Sequence, residues 1–347
     1  MRVVVSGYFG HGNTGDEALL AGMLASMRAV EPALEAVVIS GDPAETQRTH
    51  RVQSVPRMGP TAIWRALRDA DGLISGGGGL LQDRTSARPV AYYAGVMGLA
   101  RLARRPYVVH AQGLGPIRHR PNRALSAMAL RGAAHVSLRD AESIALAREL
   151  GVRRAIELVP DPAIVLRPPG GSGGHVVVAV RSWADRLDHL LPIHEAVRSL
   201  STDHEILALP MHEPMDREPS AIVTDGIPGA AVVPPETSLH ERVALIGAAS
   251  LVIGMRLHAL VLAAAAGVPG VAISYDPKVD AFASRVGMPV AADLTSGVEP
   301  ARIVEAARRE HDADLTRRQR IVDEMRDQVA ASAAASLAAI RRASSGG

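Results

Sequence analysis

Two hydrophobic periods alternate along this chain. Residues 2–6 form a short apolar run that reads as a buried strand and gives way to a glycine-rich turn. Leu19, Leu20, Met23, Leu24, Met27 and Val30 then recur at three- and four-residue steps, one face of a helix whose first turn carries Asp16 and Glu17. The same two periods predict strands at 36–40, 72–75, 107–111, 135–138 and 156–159, with helices at 62–70, 90–104, 123–132 and 141–150. Such alternation specifies a mostly parallel sheet with helices on both faces.

Residues 167–174, Arg-Pro-Pro-Gly-Gly-Ser-Gly-Gly, sustain neither period and read as a linker or an exposed loop. Beyond them the alternation restarts, with strands expected at 176–180, 206–209, 231–233, 251–254 and 270–274. The break lies near the midpoint, so the expected fold is α/β with two Rossmann-like lobes. The predicted division is a first lobe at 1–166, a linker at 167–174, a second lobe at 175–312 and a C-terminal helix and tail at 313–347. The Ala/Arg-rich pattern at about 314–342 reads as a closing helix. It lacks the Trp and Phe anchors of a helix lying on a membrane surface.

Composition narrows the function. The 347 residues are 47% hydrophobic, enough for two cores, and the 38 basic against 36 acidic side chains leave a net charge of +2. That balance gives no electrostatic basis for a nucleic-acid partner. Lys278 is the only lysine, so the basic residues are otherwise arginines. With no cysteine, disulfides, thiolate nucleophiles and thiolate metal sites are excluded. The histidines have no metal-ligand spacing, so no metal is expected. The apolar start is too short for a signal peptide, and the apolar stretch 259–273, interrupted by Gly267 and Pro269, is shorter than a spanning helix. A cytoplasmic protein is expected.

In parallel α/β sheets ligands bind at the carboxyl ends of strands, and unusual residues concentrate there. The first cluster runs from Gly7 to Asp16 and contains Gly10-x-Gly12-x-x-Gly15. That spacing is found in dinucleotide-binding turns, with Asp42 as a poor acidic partner. Tyr8, Phe9, His11 and Asn13 are bulkier than a pyrophosphate turn needs and suit a sugar face; a plain turn is the third reading. In the second cluster, Ser75 to Asp83, Gly77 and Gly78 suit either an anion site of backbone N–H groups or a close approach by another segment. Asp83 is a candidate base or hydroxyl partner, or a helix cap. Arg139, Arg181 and Arg256 each follow a predicted strand, and a guanidinium suits phosphate and carboxylate alike. Individually each also fits a surface ion pair. His258 sits near a helix N-terminus, where its neutral form is favoured and proton transfer near neutrality is open to it; a structural histidine is the alternative. Lys278 follows another strand-end turn.

These motifs, GYFGHGNTGDEALL, SGGGGLLQD, AQGLGP, VSLRD with Ser143 after it, DPA at 161–163, GMRLHAL, AAGVP and ISYDPKVDAF, keep their order over residues 1–285. Together they resemble the polysaccharide pyruvyl transferase family, and within it the CsaB-like cell-wall branch. The resemblance implies a GT-B-like pair of lobes, the first on the acceptor side and the second on the donor side. It also implies transfer of pyruvate from phosphoenolpyruvate to a sugar as a cyclic ketal, with release of phosphate and no cofactor. The implied acceptor is an N-acetylmannosamine residue of a lipid-diphosphate-linked disaccharide whose product anchors S-layer proteins, so peripheral membrane contact is a further expectation. Carried over by motif, Arg139, Arg256 and His258 are donor-binding and catalytic; Arg181 and Lys278, from their own strand-end positions, are weaker donor contacts. Asp83 is carried over as catalytic and acceptor-facing. Tyr8, Phe9, His11, Asn13, Gly77 and Gly78 fall on the acceptor side, His11 standing where the family commonly has an aromatic residue.

Three rival readings stand beside it. A nucleotide-sugar glycosyltransferase of the same architecture would bind a nucleoside diphosphate. A nicotinamide-dependent dehydrogenase would use the first glycine loop. A silent sugar-binding protein would keep Tyr8, Phe9 and Asn13 but have no need of Arg256 beside His258.

Overall fold

The computed structural model describes residues 1–345 except Thr85 and Ser172. The chain divides into two units, one comprising 1–11, 19–165 and 325–347, the other 12–18 and 166–324. This differs from the contiguous division expected from sequence in two places: Gly12–Ala18 groups with the second unit, and most of the last helix groups with the first.

The strands of the first unit are β1 (Arg2–Ser6), β2 (Glu35–Ser40), β3 (Gln53–Pro56), β4 (Gly72–Gly76), β5 (Tyr107–Gln112), β6 (His135–Leu138) and β7 (Glu157–Leu158). They form one parallel sheet in the order β3-β2-β1-β4-β5-β6-β7. Its helices are α1 (Thr14–Val30, shared with the second unit), α2 (Pro43–His50), α3 (Pro60–Arg68), α4 (Arg88–Leu102), α5 (Arg120–Gly132) and α6 (Ala141–Glu149). Val3 and Val5 face one core with Leu20, Met23 and Met27 of α1, whereas Val4 faces the other with Leu67, Met97 and Leu130. A strand buried on both faces must be apolar throughout, which is why β1 reads as a continuous valine run.

The second unit holds β8 (Val176–Ala179), β9 (Ile206–Ala208), β10 (Ala231–Val232), β11 (Leu251–Gly254), β12 (Gly270–Ser274) and β13 (Val290–Asp293). They form a parallel sheet in the order β10-β9-β8-β11-β12-β13. Around it lie α7 (Leu190–Leu200), α8 (Arg217–Thr224), α9 (Leu239–Gly247), α10 (Leu257–Ala266), α11 (Pro277–Val286) and α12 (Pro300–His311). In each sheet the strand order reverses beside the first strand of the unit, the position at which doubly wound folds bind ligands.

The last helix, α13 (Thr316–Ser345), contributes Ala333, Leu337 and Ile340 to the first unit's core. Near its start, in the second unit, Arg318 pairs with Glu310 and donates to the carbonyls of Val286 at 3.1 Å and Gly287 at 2.7 Å, where α11 ends. Residues 167–174 are not a free tether. Pro168 and Pro169 pack on Gly247 at the end of α9, and Gly173 N–H donates to Ala248 O at 2.9 Å; Ser172 lies outside the described residues. Among the described residues no helix is long and apolar enough to cross a membrane.

Candidate functional site

In the second unit β11 ends at Gly254, and Met255 N–H and Arg256 N–H both donate to Ala179 O, at 2.8 and 3.3 Å, carrying the pairing with β8 past the strand end. Arg256 occupies the N-cap position of α10 with an extended backbone and no side-chain cap bond. Its side chain instead grips Asp216, Nε donating to Oδ2 at 2.8 Å and Nη2 to Oδ1. The Asp216 side chain is 1% exposed and that of Arg256 16%. His258, half-buried, lies in the first turn of α10.

Against the His258 ring lies Gly15. A Cβ at Gly15 would stand 2.2 Å from Nδ1 and 2.6 Å from Cγ, so only glycine admits the imidazole there. The segment carrying Gly15 is fastened to the loop after β9: Thr14 N–H donates to Met211 O at 2.7 Å, Glu213 N–H to Gly12 O at 2.9 Å, and Asn13 bridges His212. Asn13 caps α1, its Oδ1 accepting from Gly15 N–H at 3.0 Å and its carbonyl from Glu17 N–H at 3.0 Å. Its amide oxygen thus accepts from the first turn of the helix.

Arg181 follows β8 and lies over the Tyr275 ring, 5.1 Å from its centroid, with Nε donating to Ser182 O at 2.9 Å. Lys278 is half-buried in the first turn of α11, where its N–H donates to the capping Asp276 carboxylate at 3.1 Å. Arg181, Arg256, His258 and Lys278 thus all follow the carboxyl ends of β8, β11 and β12, neighbours in the second sheet.

The first unit has its own decorated edge. Arg139, just after β6, lies over Gly113, where a Cβ would meet Nε at 2.9 Å. Its Nη1 is 3.5 Å from Asp161 Oδ2 and its Nε 3.7 Å from Asp140 Oδ2, ion pairs without hydrogen-bond geometry. Beyond β1, Tyr8 stacks on His11 with ring centroids 4.2 Å apart and planes 21° from parallel. His11 Nε2 lies 2.7 Å from Arg57 Nη1. The Arg57 guanidinium sits 4.7 Å from the centroid of Tyr92, whose hydroxyl donates to Arg57 O at 3.0 Å. Burial pushes the Tyr92 hydroxyl pKa up, and the Arg57 charge offsets part of that rise.

Two sequence expectations need correction here. Phe9 is not a sugar-facing aromatic: it is 1% exposed and belongs to the core beneath the sheet, packed on Gly7. Asp83 has the geometry of a cap. It is 5% exposed and accepts from Arg118 N–H at 2.7 Å, His119 N–H at 2.9 Å and Asn122 Nδ2 at 3.2 Å, tying down the start of α5. Burial acts to raise its pKa, but these donors outweigh it and hold the carboxyl below its ordinary value. Gly77, at φ +73°, marks a close approach, since a Cβ there would lie 1.9 Å from Leu19 Cδ2. Its N–H is already bonded to His110 O at 3.0 Å, and Gly78 O accepts from Gly113 N–H at 2.8 Å.

Sequence reasoning missed Arg57, Tyr92 and Asp216 and gave Asp161 no role. Asp161 alone had a signal, the DPA motif; the other three meet their partners across long stretches of sequence.

Two doubly wound units, each with a strand-end arginine beside an aspartate, make an α/β fold of the GT-B type. The sequence profile described as polysaccharide pyruvyl transferase matches residues 13–277, and the chain belongs to that family. No curated protein matches the sequence. Solved structures share the fold at low identity. A putative UDP-N-acetylglucosamine 2-epimerase from Listeria monocytogenes is 13% identical, with TM-score 0.66 over 98% of this chain and 95% of that one. The UDP-GlcNAc 2-epimerase from Methanocaldococcus jannaschii is 12% identical, with TM-score 0.60 over 93% and 99%. Anabaena Alr3699/HepE, solved with UDP and glucose, is 10% identical, with TM-score 0.61 over 97% and 98%.

Proposed function

We propose that the chain transfers the pyruvyl group of phosphoenolpyruvate to two hydroxyls of one sugar, forming a cyclic ketal and releasing phosphate. The observation that carries this reading is the β11–α10 junction, where Arg256, with Nη1 left outside its pair with Asp216, stands two residues from the imidazole of His258. Phosphoenolpyruvate carries a phosphate and a carboxylate, so its site needs cations, and its enol carbon needs a proton.

In this reading His258 delivers the proton to the methylene carbon, which becomes the methyl group, and the central carbon turns electrophilic. One sugar hydroxyl adds to that carbon and loses its proton. The phosphate then leaves with the C–O bonding pair, and a second hydroxyl closes the ring. Of the two hydroxyl protons, one balances the new methyl C–H and the other leaves on phosphate. Arg256 neutralises charge on the donor, with Arg181 and Lys278 as further cations of the same sheet edge and Arg139 keeping the donor role that its SLRD motif implies. Tyr8 and His11, with Arg57 and Tyr92, are assigned to the acceptor. An N-acetylmannosamine residue on a lipid-linked cell-wall precursor is the acceptor we favour, reached by peripheral contact with the membrane. No cofactor enters the scheme.

The test incubates the protein with phosphoenolpyruvate and a panel of N-acetylhexosamine acceptors, following phosphate release and the mass of the sugar product. Arg256→Ala and His258→Ala should abolish turnover while the protein stays folded. Near-wild-type turnover in both variants overturns the role assignment. Turnover of a nucleotide sugar instead would favour the glycosyltransferase reading.

A further inference from the structure

We infer that Asp216 is a positioning residue that aims Arg256, and that the loop bearing it is a frame serving both Arg256 and His258. The inference rests on the donor-site reading above. An arginine side chain has several free torsions, and fixing them when a ligand arrives carries a rotamer-entropy cost. Here the fork is fixed beforehand. Asp216, 1% exposed, takes both Nε and Nη2, and its Oδ2 also accepts from His212 N–H at 3.0 Å, so neither partner can swing independently.

The loop itself is anchored from behind. Arg242, 4% exposed, donates from Nη1 to Pro210 O at 2.6 Å and from Nη2 to Pro234 O and Pro235 O, both at 3.1 Å. From its other side the loop holds Gly12 and Thr14 through backbone bonds of 2.9 and 2.7 Å, and the same segment presents Gly15 to His258. One short loop therefore fixes the direction of the guanidinium and the floor beneath the imidazole. A carboxylate beside the donor's cation also repels an anionic donor, so Asp216 weakens binding in the ground state. That repulsion offsets the affinity that a fork fixed beforehand would add, so the effect of Asp216 belongs in turnover.

The experiment compares full-length wild type with Asp216→Asn, Arg256→Lys and the Asp216→Asn/Arg256→Lys double variant. Calorimetry with phosphoenolpyruvate gives affinity, phosphate release gives kcat, thermal unfolding reports folding, and the Arg256 Nε–H NMR signal reports guanidinium order without any ligand. Asp216→Asn should lower kcat at least about tenfold while phosphoenolpyruvate binds as tightly as to wild type or more tightly. Arg256→Lys, which keeps charge but loses the fork, should show a similar kcat loss and remains informative if Asp216→Asn does not fold. The double variant should be no slower than Arg256→Lys alone. A slowly exchanging Nε–H signal in wild type should vanish in Asp216→Asn. Losses that multiply in the double variant, a kcat for Asp216→Asn within about twofold of wild type, or no protected Nε–H in wild type each overturn the inference. A wild type with an ordered guanidinium but no release of phosphate overturns the functional reading instead.

Discussion

Replacing Gly15 with alanine inserts one methyl group under the imidazole of His258. The added Cβ would lie 2.2 Å from Nδ1, 2.6 Å from Cγ and 2.9 Å from Cβ of His258, where ordinary contact begins at 3.4 Å. The ring must retreat by roughly 1 Å, and misplacement on that scale costs about 100-fold when a proton has to be delivered along a set line. Alanine suits the helix otherwise, since Gly15 lies in the first turn of α1 and glycine in a helix is about 1 kcal/mol less favourable than alanine. The expected result is a folded protein with a melting temperature near wild type and a kcat for phosphate release about two orders of magnitude lower. Gly95→Ala, in α4 with no heavy atom within 4 Å of its added Cβ, is the matched control and should leave turnover unchanged. The reasoning fails if Gly15→Ala turns over within about threefold of wild type while His258→Ala is inactive.

Other measurements probe the scaffold. His110 is fully buried in β5 with Nδ1 3.0 Å from Ser336 Oγ, and burial, with a smaller contribution from His135, pushes its pKa down to about 4. The unfolded chain therefore binds the extra proton first: this contribution is complete above about pH 6.5 and is lost as pH falls toward about 4, amounting to about 3 kcal/mol. Urea unfolding across that range should show the slope, and His110→Gln should flatten it; an unchanged slope refutes the assignment. Asp83→Ala should cost about 2–3 kcal/mol in urea unfolding by releasing the start of α5, and lost turnover at unchanged stability would return Asp83 to the chemistry. Glu310→Gln should destabilise by about 3 kcal/mol because it strands a buried arginine, with an unchanged melting temperature as the contrary result.

Strands whose residues are buried on both faces were the easiest to read: Arg2–Ser6, His135–Leu138, Leu251–Gly254 and Gly270–Ser274 have the predicted limits. The helix Pro43–His50 escaped because its sequence, PAETQRTH, has no apolar period. It is held by Asp42, whose carboxylate accepts from Glu45 N–H at 3.0 Å, and buries only Thr46 and His50. In the site, strand-end arginines were legible because the topology of parallel sheets says where to look. Their partners were not. Asp216 meets Arg256 across 40 positions, a relation that local periodicity does not encode. The loop after β1 misled in a different way: its aromatic residues look equivalent in sequence, yet Tyr8 is half-buried and Phe9 is in the core.

That last contrast bears on how such an enzyme could be retargeted. Phe9 works as a rivet driven through the loop into the interior, whereas Tyr8 and His11 lie nearer the surface and hold each other and Arg57. Variation in this loop should therefore leave the rivet alone and treat Tyr8, His11 and Arg57 as one unit, because those side chains hold one another.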